Sequence, residues 1–298
     1  MSLDLLRTFQ AIYRNGTLAA AAQLLGLAQP TVTTQLRTLE TATGRPLFVR
    51  RARGVSPTPA GDDLARRLDG PLDALAGVAG DLGGSPSLRG RTLYIGGPAE
   101  LTTARVLPAL TDTIAAGVAV RVRLGLAEQL IDNLATGQLD LVISTIRPRR
   151  RGLTIEPLCD EEFLLVVAPG LAAGLDPDLL ATEPTKALQQ LPLLAYDEDL
   201  PVLRRWWRHT LGVAPTRRAV LVVPDLRGLL SAAAAGVGAT VLPRYLCSDE
   251  VATGRLVEVL PTRDPPINTL YLAARTANRT DPHIAHAWSA LLLHGRLW

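Results

Sequence analysis

Apolar side chains recur at spacings of three and four in three consecutive segments at the start of the chain, which predicts three amphipathic helices. The first runs from Leu3 to Tyr13. The other two lie between Thr17 and Glu40, with a break at residues 26–28. Their apolar positions are Leu18, Ala21, Ala22, Leu25, Val32, Leu36 and Leu39. Two short helices joined by a tight, glycine-containing turn are typical of a helix-turn-helix, and the first segment is expected to close a three-helix core behind them.

The third helix presents a polar outward face. Thr17 follows the turn signal Asn15-Gly16 and is predicted to cap the second helix, while Pro30 suits the first turn of the third. The outward positions are Gln29, Thr31, Thr33, Thr34, Gln35 and Arg37, and together with Thr17 and Pro30 they are the candidate DNA-binding residues of these helices. Hydroxyl, amide and guanidinium groups are the ones that hydrogen-bond base edges and phosphates in a major groove. A small helical hairpin with a solvated face is the alternative.

An arginine-rich turn follows the third helix. After the break at residues 44–46, the strands Leu47–Val49 and Val55–Ser56 flank a turn that contains Gly54. The arginines of this turn are Arg50, Arg51 and Arg53. Two strands around a basic turn form a wing that can lie along a phosphate backbone or enter the minor groove. Solvated surface is the alternative, but the position directly after a helix-turn-helix favours DNA.

A long apolar stripe begins after Thr58-Pro59, which is a strong helix start. The stripe consists of Leu64, Leu68, Leu72, Leu75, Val78 and Leu82. A stripe this narrow favours a partner helix, with packing on its own chain as the alternative. Gly70-Pro71 is expected to kink the helix. Residues 80–87, rich in glycine and proline, are expected to form a flexible connection.

From Arg91 onward, short apolar strands alternate with helices, which indicates an α/β sheet with parallel strands. The predicted strands are Leu93–Ile95, Val118–Leu124, Leu139–Ser144, Phe163–Ala168, Leu193–Tyr196, Ala219–Val223, Ala239–Leu242 and Leu270–Ala274. The predicted helices are Leu101–Leu110, Leu130–Ala135, Leu203–Leu211, Asp225–Ala235 and Pro282–Leu293.

Charge separates the two parts of the chain. The 298 residues, 47% of them hydrophobic, are enough for two or three packed domains. Residues 1–61 hold seven arginines against two acidic residues and carry +5, whereas the remainder has 24 basic and 26 acidic groups and carries −2. A basic N-terminal segment on a mildly acidic body indicates one face for a polyanion and a separate module.

Several chemistries lack their signature. Only Cys159 and Cys247 occur, so a disulfide scaffold and a redox pair are both disfavoured and a reducing cytoplasm is expected. We recognise no signal peptide, membrane span, nucleophile elbow or phosphate-binding loop. The glycines of 236–238 end a helix and do not begin one. His283 and His286 lack a third metal ligand nearby in the sequence, so we predict no metal site and no cofactor.

Residues 1–61 resemble the winged helix-turn-helix of the LysR-type transcriptional regulators. The matching residues are Leu5-Leu6-Arg7-Thr8-Phe9, Gly16-Thr17-Leu18, Ala20-Ala21-Ala22, Leu24, Gln29-Pro30, Val32, Gln35-Leu36, Leu39-Glu40, Gly44, Leu47-Phe48, Arg50, Thr58 and Ala60-Gly61. Two positions depart from the family pattern. Ala28 stands where a serine is usual, so that helix cap is lost or supplied by other means, and Thr33 replaces a common serine while keeping its hydroxyl.

The resemblance, looser after residue 90, covers nearly the whole chain and implies a mixed fold. A winged helix-turn-helix DNA-binding domain would occupy 1–61, a linker helix and hinge 58–87, and an effector-binding domain 88–298. The last would be a two-lobed α/β domain like the periplasmic binding proteins, with lobe I at about 91–162 and 268–298 and lobe II at about 163–267. It also implies double-stranded DNA as a partner, a dimer formed through the linker helix, further association to a tetramer, and RNA polymerase as a further candidate partner.

A small-molecule effector is implied between the lobes, at segments that follow strand ends. Such ends bind ligands in open α/β sheets because helix N-termini present free N–H groups there. The residues concerned are Gly97, Pro98, Ala99, Glu100, Thr102, Thr103, Ser144, Thr145, Arg147, Tyr196, Asp197, Pro224 and Asp225. Ordinary helix caps are the alternative for several of them. Because Glu100 and Asp225 add negative charge, we hypothesise an effector with an amine or hydroxyls, as well as or instead of a carboxylate.

Two classes of function follow. The first is a ligand-responsive transcriptional regulator, and the second is a solute-binding or enzymatic α/β protein with an incidental helical N-terminus. The charge separation and the wing favour the regulator. An enzyme would need a catalytic pair, and we find none in the sequence.

Overall fold

The computed structural model describes residues 2–51, 54–65, 67–68, 72 and 88–298. The chain forms two compact units. The first comprises Met1–Ala99, Val106–Leu158 and Tyr271–Leu297, and the second comprises Glu100–Arg105, Cys159–Leu270 and Trp298. The predicted winged helix-turn-helix and most of predicted lobe I, including the C-terminal helix, therefore belong to the first unit.

Three helices open the first unit: α1 (Leu3–Asn15), α2 (Leu18–Leu25) and α3 (Gln29–Thr43). Thr17 caps α2 as predicted, because its side chain accepts the N–H of Ala20. At α3 the N-cap position is Ala28, and no side chain caps the helix. The buried core of these helices contains Phe9, Ile12, Tyr13, Ala21, Val32, Leu36 and Leu39.

The predicted wing is an antiparallel pair of β1 (Phe48–Arg51) and β2 (Gly54–Pro57). Glu40 ties the wing to α3, since its Oε1 accepts the N–H groups of Leu47 and Phe48 at 2.8 and 3.3 Å. A further helix, α4, follows at residues 59–65, and its first turn is capped by Thr58, whose Oγ1 accepts the Gly61 N–H at 3.1 Å.

The apolar stripe of α4 begins on the chain's own core. Leu64 and Leu68 pack against the three-helix core, which is the alternative left open by the sequence. Residues 67, 68 and 72 are also helical. Leu75, Val78, Leu82, the Gly70-Pro71 kink and the connection at 80–87 lie outside the described residues, as does Arg53.

The α/β part of the first unit contains a mixed sheet. Strand β3 (Thr92–Gly97) pairs in parallel with β4 (Ala119–Leu124) and with β5 (Leu141–Ser144), as the alternation predicted. Helix α8 (Ala127–Thr136) connects β4 to β5. The predicted helix Leu101–Leu110 is helical as expected, but its geometry is not uniform. It consists of α5 (Ala99–Leu101), a π-helical turn (Thr102–Val106) and α6 (Leu107–Ala109), followed by α7 (Thr111–Ala115).

Pro108 is the physical reason for the π-helical turn. Proline has no N–H to donate, and in a continuous α-helix its ring would clash with the carbonyl of the residue four positions earlier. Widening the preceding turn to π geometry avoids this conflict and is a change often seen at functional sites.

The main part of the second unit begins within β6 (Leu153–Val167), and this strand starts ten residues before the predicted Phe163. Strands β9 (Thr240–Pro243) and β10 (Val257–Glu258) pair with β6 antiparallel, and β7 (Leu194–Ala195) pairs with β8 (Leu221–Val222) in parallel, so antiparallel pairs accompany the predicted parallel ones. The later elements are α9 (Pro169–Ala173), α10 (Pro177–Thr182), α11 (Pro184–Leu188), β7 (Leu194–Ala195), α12 (Pro201–Leu211), β8 (Leu221–Val222), α13 (Leu226–Ala234), β9 (Thr240–Pro243), α14 (Arg244–Ala252), β10 (Val257–Glu258), β11 (Ile267–Arg275) and α15 (Pro282–Gly295).

Strand β11 returns the chain to the first unit, where it pairs antiparallel with β5. The core of the second unit is built around Trp206 and Trp207 of α12, whose rings meet edge to face at 5.1 Å. Among the residues that the structure describes, no helix combines the length and apolarity needed to cross a membrane.

Candidate nucleic-acid interface and ligand site

The outward face of α3 is open to solvent, as a recognition surface requires. Gln29, Pro30, Thr31, Thr34 and Arg37 are exposed, and Thr33 and Gln35 are partly exposed. Val32, Leu36 and Leu39 on the opposite side are buried in the three-helix core. The apolar side thus fixes the orientation of the helix, and the polar side is available for contact with a partner.

The threonine hydroxyls of α3 are already used as donors. Thr33 Oγ1 donates to the carbonyl of Gln29 and Thr34 Oγ1 to that of Pro30, each at 3.0 Å. This bond inside the helix occupies the hydroxyl hydrogen but leaves oxygen lone pairs and the methyl group. These two threonines can therefore accept hydrogen bonds or touch a thymine methyl group.

A hydrogen bond from α1 restrains the side chain of Gln35. The hydroxyl of Thr8, which is 1% exposed, donates to the Gln35 carboxamide oxygen. This bond fixes which way the amide points and leaves its NH₂ group as the free donor. A glutamine in this state suits an adenine, whose N7 accepts a hydrogen bond in the major groove.

Arg50 and Arg51 of the wing are exposed, and strand β2 beside them is fixed in place. Arg50 and Arg51 point into solvent, and Arg51 Nε lies 3.4 Å from Ser56 Oγ. The backbone N–H of Val55 donates to the Gly16 carbonyl at 2.9 Å. Gly54 has φ +108°, and a Cβ atom there would lie 2.4 Å from the Gly16 oxygen. Only glycine allows this close approach, which positions the wing beside the turn between α1 and α2.

Six predicted effector residues lie in the first unit: Gly97, Pro98, Ala99, Ser144, Thr145 and Arg147. Ser144 is wholly buried, and its Oγ donates to the Ile146 carbonyl and accepts the Ile146 N–H. Its hydroxyl is thus part of a local turn, as the capping alternative predicted. Thr145 is partly exposed and Arg147 is exposed.

The remaining seven predicted residues lie in the second unit: Glu100, Thr102, Thr103, Tyr196, Asp197, Pro224 and Asp225. Asp225 caps α13 by accepting the N–H groups of Arg227 and Gly228, and its hydrogen bond with the Arg227 side chain lowers its pKa. Asp197 caps a turn by accepting the Asp199 N–H at 2.9 Å. Both aspartates act as ordinary caps in this structure.

Glu100 belongs to a buried acidic cluster. Its carboxylate accepts the N–H of Leu226, the first residue of α13, at 3.4 Å. Near it, Glu161 of β6 accepts the Tyr245 hydroxyl at 3.1 Å and the Asn268 amide at 3.4 Å. Glu100 is 9% exposed and Glu161 8%. Among the residues that the structure describes, neither carboxylate forms an ion pair. We call Glu100, Glu161, Tyr245 and Asn268 the acidic cluster.

Burial and nearby negative charge raise the pKa values of side chains in and beside the acidic cluster. Desolvation raises the pKa of Glu161, and the Glu100 charge raises it further. Desolvation, followed by the Glu161 carboxylate, raises the pKa of Tyr245. The pKa of Tyr196 is also raised, by desolvation and then by Glu100. Hydrogen bonds from Asn268 and Tyr245 and the charge of Arg205 lower the pKa of Glu161, but desolvation is the larger effect, so the site favours a proton or a further cation.

The sequence predicted one member of the acidic cluster and missed three. Glu161, Tyr245 and Asn268 come from β6, from the start of α14 and from β11, far apart in the chain. Only the acidic run Asp160-Glu161-Glu162, placed directly before a strongly apolar strand, could have drawn attention to Glu161.

Neither metal nor thiol chemistry is apparent in the described part of the chain. It contains no group of three or more histidine, cysteine or carboxylate residues able to hold a metal ion. Desolvation raises the pKa of both Cys159 and Cys247 to about 12, so each thiol stays protonated near neutral pH.

Two family models match the chain. The model for the bacterial regulatory helix-turn-helix protein of the lysR family matches residues 3–62, and the model for the LysR substrate binding domain matches residues 87–295. A relative from Streptomyces antibioticus, the HTH-type transcriptional regulator AbaB, is 46% identical over 293 residues, which cover 97% of each chain. The regulator PtxR of Pseudomonas aeruginosa is 30% identical over 92% of this chain and 88% of its own.

Solved structures share the fold. ArgP from Mycobacterium tuberculosis superposes with a TM-score of 0.73 at 23% identity, covering 99% of this chain and 97% of that one. Full-length OxyR C199D from Pseudomonas aeruginosa gives a TM-score of 0.71 at 22% identity, covering 100% and 95%. LysG from Corynebacterium glutamicum, solved with bound effector Arg, gives 0.66 at 18% identity, covering 100% and 99%.

Proposed function

The chain belongs to the LysR family of transcriptional regulators, and from this membership we propose that α3 and the wing recognise a specific DNA sequence under the control of a small, cation-bearing effector. It is a DNA-binding regulator with an effector domain, not an enzyme. The observation that carries the proposal is the exposed polar face of α3 on a rigid apolar core, next to the exposed wing arginines.

Contacts on the DNA divide by chemistry. Arg37, Arg50 and Arg51, with Arg53, position the protein on phosphates, because guanidinium groups match phosphate oxygens. Base edges are contacted by Gln29, Thr31, Thr33, Thr34 and Gln35, while Thr17 and Pro30 set the ends of the helices that carry them. Because bacterial DNA lies in the cytoplasm, the protein acts there.

We assign the assembly to the stripe that starts at Leu64. The protein dimerises through the linker helix and places two recognition helices on half-sites about one helical turn apart, or a multiple of it. Further association gives a tetramer, and contact with RNA polymerase is part of the same proposal. Leu64 and Leu68 pack on the chain's own core, so the support for a partner helix is the continuation of the narrow apolar stripe through Leu75, Val78 and Leu82 in the sequence.

The effector carries an amine or guanidinium group that meets the acidic cluster. Two carboxylates that are more than nine-tenths buried, with no described cation in ion-pair contact, gain most from a positively charged ligand. The Tyr196 and Tyr245 hydroxyls and the Asn268 amide provide further hydrogen-bonding groups nearby, which suit ligand hydroxyls or a carboxylate. Effector binding shifts the population between two arrangements of the regulator on DNA.

DNA recognition is tested by fluorescence anisotropy of the purified full chain. Its own upstream intergenic duplex and a scrambled duplex of equal length are titrated at several salt concentrations. We expect the upstream duplex to bind at least tenfold more tightly, with an affinity that falls steeply as salt rises. Equal affinity for both duplexes at every salt concentration would contradict recognition of that sequence, and no binding even at low salt would contradict the DNA-binding assignment.

The effector class is tested by the shift in melting temperature with a panel of amines, amino acids and simple carboxylic acids. Only compounds with a cationic group should stabilise the protein, and Glu100→Gln should abolish the shift. Glu198→Gln, a change at an exposed glutamate outside the acidic cluster, is the matched control and should keep it. Stabilisation by simple carboxylic acids alone would refute the cationic class while leaving the DNA assignment untouched.

A further inference from the structure

The first unit contains an unexpected junction between the DNA-binding helices and the α/β part that follows them in the chain. Arg14, in the last turn of α1, forms an ion pair with Asp140, the residue before β5, at 3.4 Å. The Arg14 side chain is 7% exposed and the Asp140 side chain is fully buried. The Arg14 guanidinium also lies 4.8 Å from the centre of the Tyr94 ring, in cation–π contact.

Two more contacts tie the same end of α1 to the α/β part. The Arg123 Nη2 of β4 donates to the Arg14 carbonyl at 3.1 Å, and the cation thereby meets the negative end of the helix. The Tyr13 hydroxyl lies 3.2 Å from the Thr136 carbonyl of α8 and 2.7 Å from Asp62 Oδ1. We call Tyr13, Arg14, Tyr94, Arg123 and Asp140 the latch.

We propose that the latch fixes the DNA-binding domain on the α/β part of its own chain and can be released, so that it sets the direction in which the recognition helix is presented. The residues involved perform no task in the DNA contacts or in the acidic cluster, and this role goes beyond the proposed function. Arg14 is buried and takes part in an ion pair, a cation–π contact and a backbone hydrogen bond. A solvated surface arginine would make none of these contacts necessary, so they indicate a specific role.

Release is tolerable because Asp140 keeps other partners. Its Oδ2 accepts the backbone N–H of Tyr94 at 2.8 Å, and Arg275 of β11 lies 3.9 Å from its Oδ1. Arg275 itself donates to the carbonyls of Leu134 and Leu139 and so stays in place. When the DNA-binding domain leaves, the carboxylate remains compensated and Arg14 gains water. Both arrangements are therefore accessible, as a two-state element requires.

The latch does not cover the DNA-binding surface. The outward face of α3, Arg50 and Arg51 are exposed while the latch is closed. The contact therefore acts by orientation and not by occlusion. Opening it should leave the affinity for a single DNA duplex nearly unchanged and should widen the range of positions of the recognition helix.

Distance measurements between spin labels test the latch in the full chain. Labels are placed at Thr41→Cys in α3 and Glu128→Cys in α8, both exposed, in a Cys159→Ser background. An excess of unlabelled protein leaves few oligomers with two labelled subunits, so the measured distances lie within one subunit. The parent should give one narrow distance distribution, and Arg14→Gln should give a broad one. Arg7→Gln, at an exposed arginine of the same helix, is the matched control and should resemble the parent.

Two further variants separate the latch from a loss of folding. Tyr13→Phe keeps the ring in the core, removes only the hydroxyl, and should broaden the distribution in part. The double variant Arg14→Gln with Asp140→Asn should broaden the distribution no more than Arg14→Gln alone, because the two substitutions break the same ion pair. A parent distribution that is already broad, or an Arg14→Gln distribution as narrow as the parent's, would overturn the proposal.

A binding measurement distinguishes orientation from occlusion. At low salt, the affinity of Arg14→Gln for a scrambled duplex should stay within twofold of the parent's. A gain of tenfold or more would mean that the closed latch blocks DNA, which would overturn the orienting role assigned to it.

Discussion

Arg51 and Gln35 are the two side chains to which the proposed DNA-binding surface assigns different tasks. Arg51 is exposed on β1 of the wing, whereas Gln35 is held by Thr8 with its NH₂ group free. Loss of a phosphate contact weakens binding to every sequence, because phosphates are the same everywhere along the duplex. Loss of a base contact changes the preference among sequences and affects random DNA little.

Arg51→Ala should therefore weaken binding to specific and random duplexes alike and reduce the slope of log affinity against log salt by about 1. Gln35→Ala should cost about 1–3 kcal/mol on the preferred sequence and much less on random DNA. Thr8→Val, which removes only the restraint on the amide, should reproduce the Gln35 effect in weaker form. Anisotropy titrations on both duplexes measure all three. Equal losses for Arg51→Ala and Gln35→Ala on both duplexes would refute the assignment.

The sequence anticipated individual residues well where the signal is local. Thr17 and Thr58 cap their helices as predicted, and Ala28 leaves α3 without a side-chain cap. Capping depends on neighbours within three residues, so the sequence contains all the information needed. The partners of Glu100 and Arg14 could not be found this way, since Leu226 and Asp140 are each more than 100 residues distant and only the fold brings them close.

At the scale of elements, prediction succeeded where an apolar stripe is long and ends at a clear signal. Helices α1, α2, α12, α13 and α15 were placed within two residues of their observed bounds. Failures arose where the pattern is ambiguous. The segment 101–110 is helical as predicted, but the pattern gave no sign of the π-helical turn before Pro108, and the polar start of β6 hides the first ten residues of that strand. The short helices α9, α10, α11 and α14 were not predicted at all.

The uncapped start of α3 gives a prediction for an element. The first N–H groups of this helix receive no side-chain oxygen, because Ala28 occupies the N-cap position with extended backbone angles (φ −70°, ψ 141°). Ala28→Ser supplies the missing acceptor without changing those angles. We expect the free energy of unfolding of the DNA-binding domain to rise by about 0.5–1 kcal/mol.

Chemical denaturation that follows the DNA-binding domain measures this gain. Thr17→Ala is the opposite variant, since it removes an existing cap and should cost about 1 kcal/mol. Ala19→Ser, at an exposed position inside α2, controls for the effect of adding a hydroxyl and should be neutral or slightly destabilising. If Ala28→Ser and Ala19→Ser behave alike, the cap at α3 is supplied by other means.

At the scale of the whole molecule, the acidic cluster is proposed to affect both ligand binding and stability. Burial of the Glu161 carboxylate is expected to weaken the fold of the second unit, and under the proposed function a cationic effector would contribute the compensation. Sites that bind charged ligands are often destabilising when empty. The same residues should therefore control both the stability of the effector-free protein and its response to a cation.

Glu161 links that stability to pH. Its pKa is raised in the folded state, chiefly by desolvation, so the unfolded chain releases its proton at lower pH than the folded one. The contribution of Glu161 is fully favourable below the unfolded pKa of about 4.3 and is lost as pH rises through the folded pKa. Glu161→Gln stays neutral and can still accept the Tyr245 hydroxyl. The melting temperature of this variant should exceed the parent's by a margin that grows as pH rises above about 4.3 and then levels off; about 1 kcal/mol corresponds to about 2–4 °C.

Melting curves between pH 5 and pH 8 measure that margin, with the exposed Glu198→Gln as a control whose margin should stay constant. A difference between Glu161→Gln and the parent that does not change with pH would show that Glu161 does not titrate in this interval. An amine that binds the acidic cluster favours the ionised carboxylate and lowers the pKa of Glu161. Saturating amine should therefore reduce the pH dependence of the parent and leave that of Glu161→Gln unchanged, because only the parent has a carboxylate at this position to compensate.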